Sequence, residues 1–393
     1  MNKKILLSTD IGSDIDDALS LTAILNHPEI DLRGIYTVNG DVISRCYIAK
    51  HMMDLKGVKR SVAKGEAEPI SACVLPYSHF ESDLVDDSFL DREKTEETNW
   101  NELIYKPLEK VGIVSNGVED LAGKLAEQKH TIFSIGPLTN IAKLLDKFPK
   151  EAKNIERLII MGCEISEGRL EHNIRYDSGA AQSVLDSDIP ITVVPGDLCQ
   201  KYCADPLELE KQLAKSSMGK YVRRMLMAFV GSQLAGKFRN EQINGTALKD
   251  LLERVVVPSY EAIKKIGSTV VFRMDSFKRR CLGNLDELTA YYETEEFWRD
   301  YRTLIFQLGN PEFGYKFGGM MAKCLESLIP KQISVADVYV PFCFVSPEKL
   351  KTERKTLSCD ADGRTIILPG DKHEIVIDLD FDAFKEFIKT FIK

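Results

Sequence analysis

Four carboxylates crowd into one short segment near the start of the chain. They are Asp10, Asp14, Asp16 and Asp17, within Ser8-Thr9-Asp10-Ile11-Gly12-Ser13-Asp14-Ile15-Asp16-Asp17. Acids packed this closely repel one another and raise each other's pKa unless a cation or strong donors hold them ionised. An all-oxygen donor set suits a hard cation of the calcium type, which takes about 6–8 oxygen ligands and leaves positions for water or substrate hydroxyls. Zinc is disfavoured, since no His or Cys lies in the segment. An EF-hand is excluded because the loop lacks its central Gly at the right offset and its distal Glu. Helix capping accounts for Asp16 and Asp17, whose charge suits an N-terminal dipole, and leaves Asp10 and Asp14 unexplained.

The flanking residues say what must position these acids. Ile5-Leu6-Leu7 before them reads as a short buried strand, and Ala18-Leu19-Ser20-Leu21-Thr22-Ala23-Ile24-Leu25 after them carries apolar residues at helical spacing. The acids therefore occupy a strand-to-helix turn at the carboxyl edge of a sheet, where ligand sites form. Further strands are expected near Leu32–Val38, Thr131–Ile135, Arg157–Gly162 and Ile191–Pro195, separated by helical segments. Such alternation predicts an α/β fold: an open, mainly parallel central sheet with helices on both faces. Gly363 to Ile377 reads as a late hairpin, followed by a closing amphipathic helix to Phe391.

Composition narrows the class. With 393 residues and 44% hydrophobic content the chain can bury one large core, so a single domain over 1–393 is expected. A net charge of −8 argues against a general polyanion binder, and Lys278-Arg279-Arg280 reads as a solvated basic turn; no nucleic-acid partner is expected. No apolar run approaches a membrane span, the first residues lead into a strand without a signal region, and no membrane partner is expected. Nine scattered cysteines suggest reduced thiols and a cytoplasmic home. Cys199 and Cys203 lack a second ligand pair and read as structural.

Several segments then fall into one order. Asp10, Gly12 and Asp16-Asp17-Ala18 match Asp-x-Asp-Pro-Gly-x-Asp-Asp-Ala, with Ser8 in place of the first Asp and a turn two residues longer that adds Asp14. Gly136-Pro137-Leu138-Thr139-Asn140-Ile141-Ala142, Met161-Gly162, Glu171-His172-Asn173 and Asp177-Ser178-Gly179-Ala180-Ala181 follow, then the apolar Pro190–Pro195. In this order the chain resembles the inosine-uridine preferring nucleoside hydrolases, over roughly residues 1–60, 130–200 and 333–393. The excess over a minimal member falls near 77–110 and 205–331, the later insertion reading as helical over Leu207–Leu213 and Tyr221–Val230.

The resemblance implies a Rossmann-like nucleoside hydrolase fold and a calcium ion held by Asp10, Asp17, the backbone carbonyl of Ile135, and Asp337. Ala336 stands where that family has a His. Substrate contacts are implied for Asp16, with Asp14 as a stand-in, for the ribose pair Glu171 and Asn173, and for Asp41, which replaces a family Asn, with Asn39 two residues away. The implied reaction cleaves the N-glycosidic bond of a ribonucleoside to ribose and free base. Calcium fixes the ribose 2′ and 3′ hydroxyls and a water, but acidifies water weakly, so Asp10 is assigned as the base that takes the proton as water attacks C1′. The sugar passes through an oxocarbenium-like state that the surrounding acids stabilise. The acid that protonates the leaving base is not assigned; His79 reads as a surface residue, and Trp100 and Trp298 as packing residues. The resemblance further implies purine or pyrimidine salvage and a homodimer or homotetramer. Two other readings stay open: a non-catalytic ribose- or nucleoside-binding protein, and a haloacid-dehalogenase-type phosphatase, against which Ser8 stands where that chemistry needs its nucleophilic acid.

Overall fold

Strand β1 (Lys3–Thr9) runs through the middle of a nine-stranded sheet in the computed structural model, which describes residues 3–71, 84–89, 105–166, 169–226, 229, 291, 294, 296 and 331–393. Its burial explains its composition: every side chain from Ile5 to Thr9 is out of solvent, so the strand reads as an apolar run and not as an alternation. After β1 come α1 (Asp16–Asn26), β2 (Ile30–Thr37), α2 (Val42–Lys56), β3 (Ser61–Ala63), β4 (Ile113–Val114), α3 (Gly117–Glu127), β5 (His130–Ser134) and α4 (Thr139–Lys147). The chain continues through β6 (Ile155–Met161), α5 (His172–Tyr176), α6 (Ser178–Asp186), β7 (Ile191–Val194), α7 (Tyr339–Val345), β8 (Leu350–Cys359), β9 (Thr365–Leu379) and α8 (Phe381–Phe391).

The strand order is β4-β3-β2-β1-β5-β6-β7-β9-β8, with every pairing parallel except β8 with β9. This is the mainly parallel α/β sheet that the sequence predicts. Order reverses between β1 and β5, and a crevice opens at the carboxyl ends of strands on either side of such a switch. Side chains of one strand alternate between faces. Accordingly Leu6 and Ile132 enter a core cluster with residues of α3, α4 and α6, whereas Phe133 meets Phe344 edge-on at 5.0 Å, beside α7. On that second side the closing helix α8 inserts Phe384 against Tyr339 and Phe342, with ring centroids 4.1 and 5.2 Å away. Together, helices cover both faces of the sheet.

One expected element differs. The hairpin placed within Gly363–Ile377 is a single strand, β9, pairing with β8 across the turn at 360–364. Pro369-Gly370-Asp371, within that expected hairpin, bulges out between the pairs Lys355↔His373 and Thr356↔Leu368, with Gly370 at φ 129°. A bulge and a turn both want Pro and Gly, and the sequence does not separate them.

The chain divides into two compact units: Met1–Ser82, Pro107–Ala204 and Ile333–Lys393 form the first, and Asp83–Lys106 with Asp205–Gln332 the second. Within the first, the chain leaves after Ala204 and returns at Ile333, and these two residues exchange backbone hydrogen bonds of 3.0 and 2.9 Å. The second contains the helix Pro206–Leu213, capped by Asp205, whose carboxylate accepts from Leu207 N at 2.8 Å. The Tyr221 hydroxyl there donates to the Leu84 carbonyl at 2.7 Å. His79, Trp100, Trp298, Lys278-Arg279-Arg280 and the end of the Tyr221–Val230 segment lie outside the described residues.

Among the described residues Cys46, Cys163, Cys199, Cys203, Cys343 and Cys359 are free thiols, and no helix is long and apolar enough to cross a membrane.

Candidate active site

A cleft of about 380 Å³ opens at the carboxyl edge of the sheet, within the first unit. Its floor is built from strand ends: Asp10 after β1, Asn39 after β2, Ile135 after β5 and Met161 at the end of β6. Asp16 and Asp17 open α1, and Asp337 sits in the single turn Ala336–Val338 that leads into α7. The Ala204–Ile333 pairing returns the chain to the sheet edge just before that turn, and Ser20 of α1 fixes it by donating to the Asp337 carbonyl at 3.0 Å.

Asp16, Asp17 and Asp337 each bring a carboxylate oxygen within 4.8 Å of the others. Burial, then the neighbouring Asp14, pushes the Asp16 carboxyl up to about 8. Burial and the charges of Asp10 and Asp16 raise Asp17, although the Thr9 hydroxyl, donating to it, opposes the shift. Asp337 is raised by burial and by Asp16, Asp17 and Asp10, and hydrogen-bonds Asp17. Two carboxylates can share a hydrogen bond only if one keeps its proton. Without a cation, then, the cluster holds together by staying partly protonated; a divalent ion could take the place of those protons.

Asp10 is 8% exposed and accepts from Asn39 Nδ2 at 3.0 Å, while Asn39 Oδ1 is buried without a partner. Asn39 takes the left-handed conformation, φ 72°, which its short polar side chain tolerates. Gly136 is required beside it: a Cβ there would lie 2.6 Å from Asp10 Oδ1. On the other wall, Glu171 caps α5, accepting from Asn173 N and Ile174 N at 2.9 Å each, and burial raises its pKa. Asn173 donates to the carbonyls of Ile135 and Met161 at 3.1 and 3.2 Å, so the Ile135 carbonyl keeps one lone pair for another partner. Asp14 stands exposed in the same cleft; the protein around it and the charge of Asp10 raise its pKa, and His172 opposes the shift.

Asp10, Asp14, Asp16, Asp17, Asn39, Ile135, Glu171, Asn173 and Asp337 thus line one cleft. Asp41 does not. It caps α2, accepting from Ser44 N at 3.0 Å and from the Ser44 hydroxyl at 2.6 Å, outside the cleft lining, so the substrate contact expected of it is corrected to a capping role. An Asp just before a helix and three residues ahead of its first free N–H is where a cap belongs. Asp16, expected on the substrate, lies in the metal-type cluster. Ser8, the position relevant to a phosphatase, is 1% exposed, and its hydroxyl accepts from Asn140.

Three residues that hold the site in shape received no role from the sequence, although Asn140 and Asp177 lie within its motif segments. Arg45 on α2 is 1% exposed and binds the acidic turn through its backbone: to the Asp10 carbonyl, the Ile11 carbonyl at 3.0 Å, Asn39 O at 2.7 Å and the Ser13 hydroxyl at 2.9 Å. Asn140 ties β1 to β2, donating to Ser8 Oγ and the Thr37 carbonyl at 3.1 Å each and accepting from Glu66 N at 2.9 Å. Asp177, fully buried, accepts from Thr139, Ile70, Ser71 and Ala180.

Known proteins resemble this chain in sequence and in fold. Residues 5–386 match the family model of inosine-uridine preferring nucleoside hydrolases. The non-specific ribonucleoside hydrolase RihC of Salmonella agona is 32% identical over 229 residues, 56% of this chain and 70% of that protein. Among solved structures, a purine-preferring ribonucleoside hydrolase from Gardnerella vaginalis aligns with a TM-score of 0.61 at 17% identity, covering 99% of this chain and 98% of the other. An inosine-uridine preferring nucleoside hydrolase from Bacillus anthracis gives 0.56 at 15% identity, over 100% and 99% of the two chains.

Proposed function

The chain belongs to the inosine-uridine preferring nucleoside hydrolase family and hydrolyses ribonucleosides to ribose and base; from that premise we propose that it does so in the acidic cleft, with Asp10 as the base and calcium as the metal. The observation that carries this reading is the convergence of Asp16, Asp17 and Asp337, from two separate stretches of chain, beside Asp10.

Oxygen is the only donor element in this set, which fits a hard cation and not zinc. Asp10, Asp16, Asp17, Asp337 and the Ile135 carbonyl would hold the ion. Bound there, calcium would supply positive charge that keeps the acids ionised and oxygen coordination for a ribose diol. The remaining work falls to the chain's own groups. Asn39 Oδ1, buried and unpartnered, is an acceptor for a sugar hydroxyl, since burying such an atom alone costs about 1–3 kcal/mol. Glu171 and Asn173 hold other ribose hydroxyls from the opposite wall. Asp10 takes the proton of the attacking water, and Asn39, donating to its Oδ2, keeps the carboxylate in place. As C1′ gains positive charge, the surrounding carboxylates stabilise it. Cytoplasmic nucleoside salvage and a homo-oligomer belong to the same reading.

The test is ribose release from a panel of purine and pyrimidine nucleosides. Wild type should release reducing sugar, and Asp10→Ala should fold and lose about 100-fold or more in turnover. Near-wild-type turnover by that variant would remove Asp10 as the base. Nucleoside binding by wild type with no ribose release would instead favour a binding protein.

A further inference from the structure

Breaking a C1′–N bond leaves an electron pair on a purine or pyrimidine nitrogen, and a proton delivered there lowers the barrier by a factor of roughly 10²–10⁴. The cleft has few groups able to deliver one. Among its described lining side chains, Arg45 is committed to backbone carbonyls and does not give up a proton near neutral pH. The Tyr176 hydroxyl donates to the Ala67 carbonyl at 3.2 Å. Serine hydroxyls are too weakly acidic. The buried carboxyls are grouped with the sugar and the cation. His172 is left, and imidazole is the side chain whose two charge states are both accessible near neutral pH.

Its position matches the task. His172 begins α5 between Glu171 and Asn173, both buried and both assigned above to the ribose, yet it is itself exposed in the cleft. A nucleoside whose sugar sits among the buried acids extends its base toward the exposed side. Asp14, also exposed there, interacts favourably with a positive His172, as does Glu171.

Building on the hydrolase reading, we propose that His172 is the general acid that protonates the departing base. In the step, the water oxygen bonds to C1′ as the C1′–N bond breaks and its electron pair passes to the base. Water's proton goes to Asp10, and the imidazolium proton goes to the base nitrogen. Proton exchange through solvent from Asp10 to His172 restores both.

The experiment compares two substrates, inosine and 4-nitrophenyl β-D-ribofuranoside, whose nitrophenolate departs without protonation. For wild type, cleavage of both is expected. His172→Gln and His172→Ala should lower kcat/KM for inosine about 100-fold while changing the nitrophenyl riboside less than about 3-fold. An equal fall on both substrates would overturn the proposal, assigning His172 to ribose binding or local structure; no change on either would overturn it too. If wild type cleaves the nitrophenyl riboside but the split is absent, only this inference fails. If wild type cleaves neither, the hydrolase reading fails and takes the inference with it.

Discussion

Arg45 shows how one buried side chain holds an acidic turn in shape without quenching it. Its guanidinium donates to the backbone carbonyls of Asp10, Ile11 and Asn39, so the turn is fixed while the carboxylates stay available to a ligand. Arg45→Met would leave these carbonyls unpartnered in a dry interior and should lower stability by about 3 kcal/mol or more, read as a fall in the urea midpoint. Arg45→Lys should recover only part, because a point ammonium cannot reproduce the fork. The acids themselves set a pH dependence. Asp16 keeps its proton in the fold up to about 8 but loses it near 3.8 when unfolded, so the native state binds more protons over that interval. Metal-free stability should therefore decline as pH rises from about 4 to about 8. Calcium relieves the repulsion only where the acids are ionised, so the thermal shift it produces should be larger at pH 8 than at pH 5; an equal shift at both would contradict this.

At the scale of elements, legibility follows from what leaves a periodic or contiguous trace. The strand, acidic turn and helix over Lys3–Asn26 are readable because apolar periodicity changes from a continuous run to helical spacing across the four acids. Arg45, Asn140 and Asp177 are single polar residues on helices or at caps, and nothing in their spacing separates a buried staple from a solvated side chain. Asp41 and the Pro369–Asp371 bulge misled for a related reason: one residue type serves two local geometries. The β8–β9 pair carries another such staple. His373, fully buried, accepts from Leu357 N at 2.9 Å through Nδ1 and reaches the Leu185 carbonyl at 3.0 Å through Nε2, joining both strands to α6. Burial lowers its pKa below 6.5, so the unfolded chain takes up the proton first. Its contribution is complete above pH 6.5 and declines as pH falls below that value. The urea-midpoint advantage of wild type over His373→Gln should therefore shrink as pH falls from 7 to 5.

For the whole molecule, the fold class was readable because the sheet is parallel and its strands are buried runs separated by helices. The convergence of the site was readable only through the order of motifs, since Asp337 meets Asp16 and Asp17 across a long intervening stretch of sequence. The structure supplies the physical device for that meeting: the pairing of Ala204 with Ile333 and the Ser20 bond to the Asp337 backbone. All the acids of the cleft belong to the unit that contains the sheet. The most direct test of this arrangement is a calorimetric titration of calcium into metal-stripped protein. One ion should bind per chain in wild type, and Asp17→Asn or Asp337→Asn should each abolish that binding while the protein stays folded. Undiminished binding in both variants, or no binding in wild type, would contradict it.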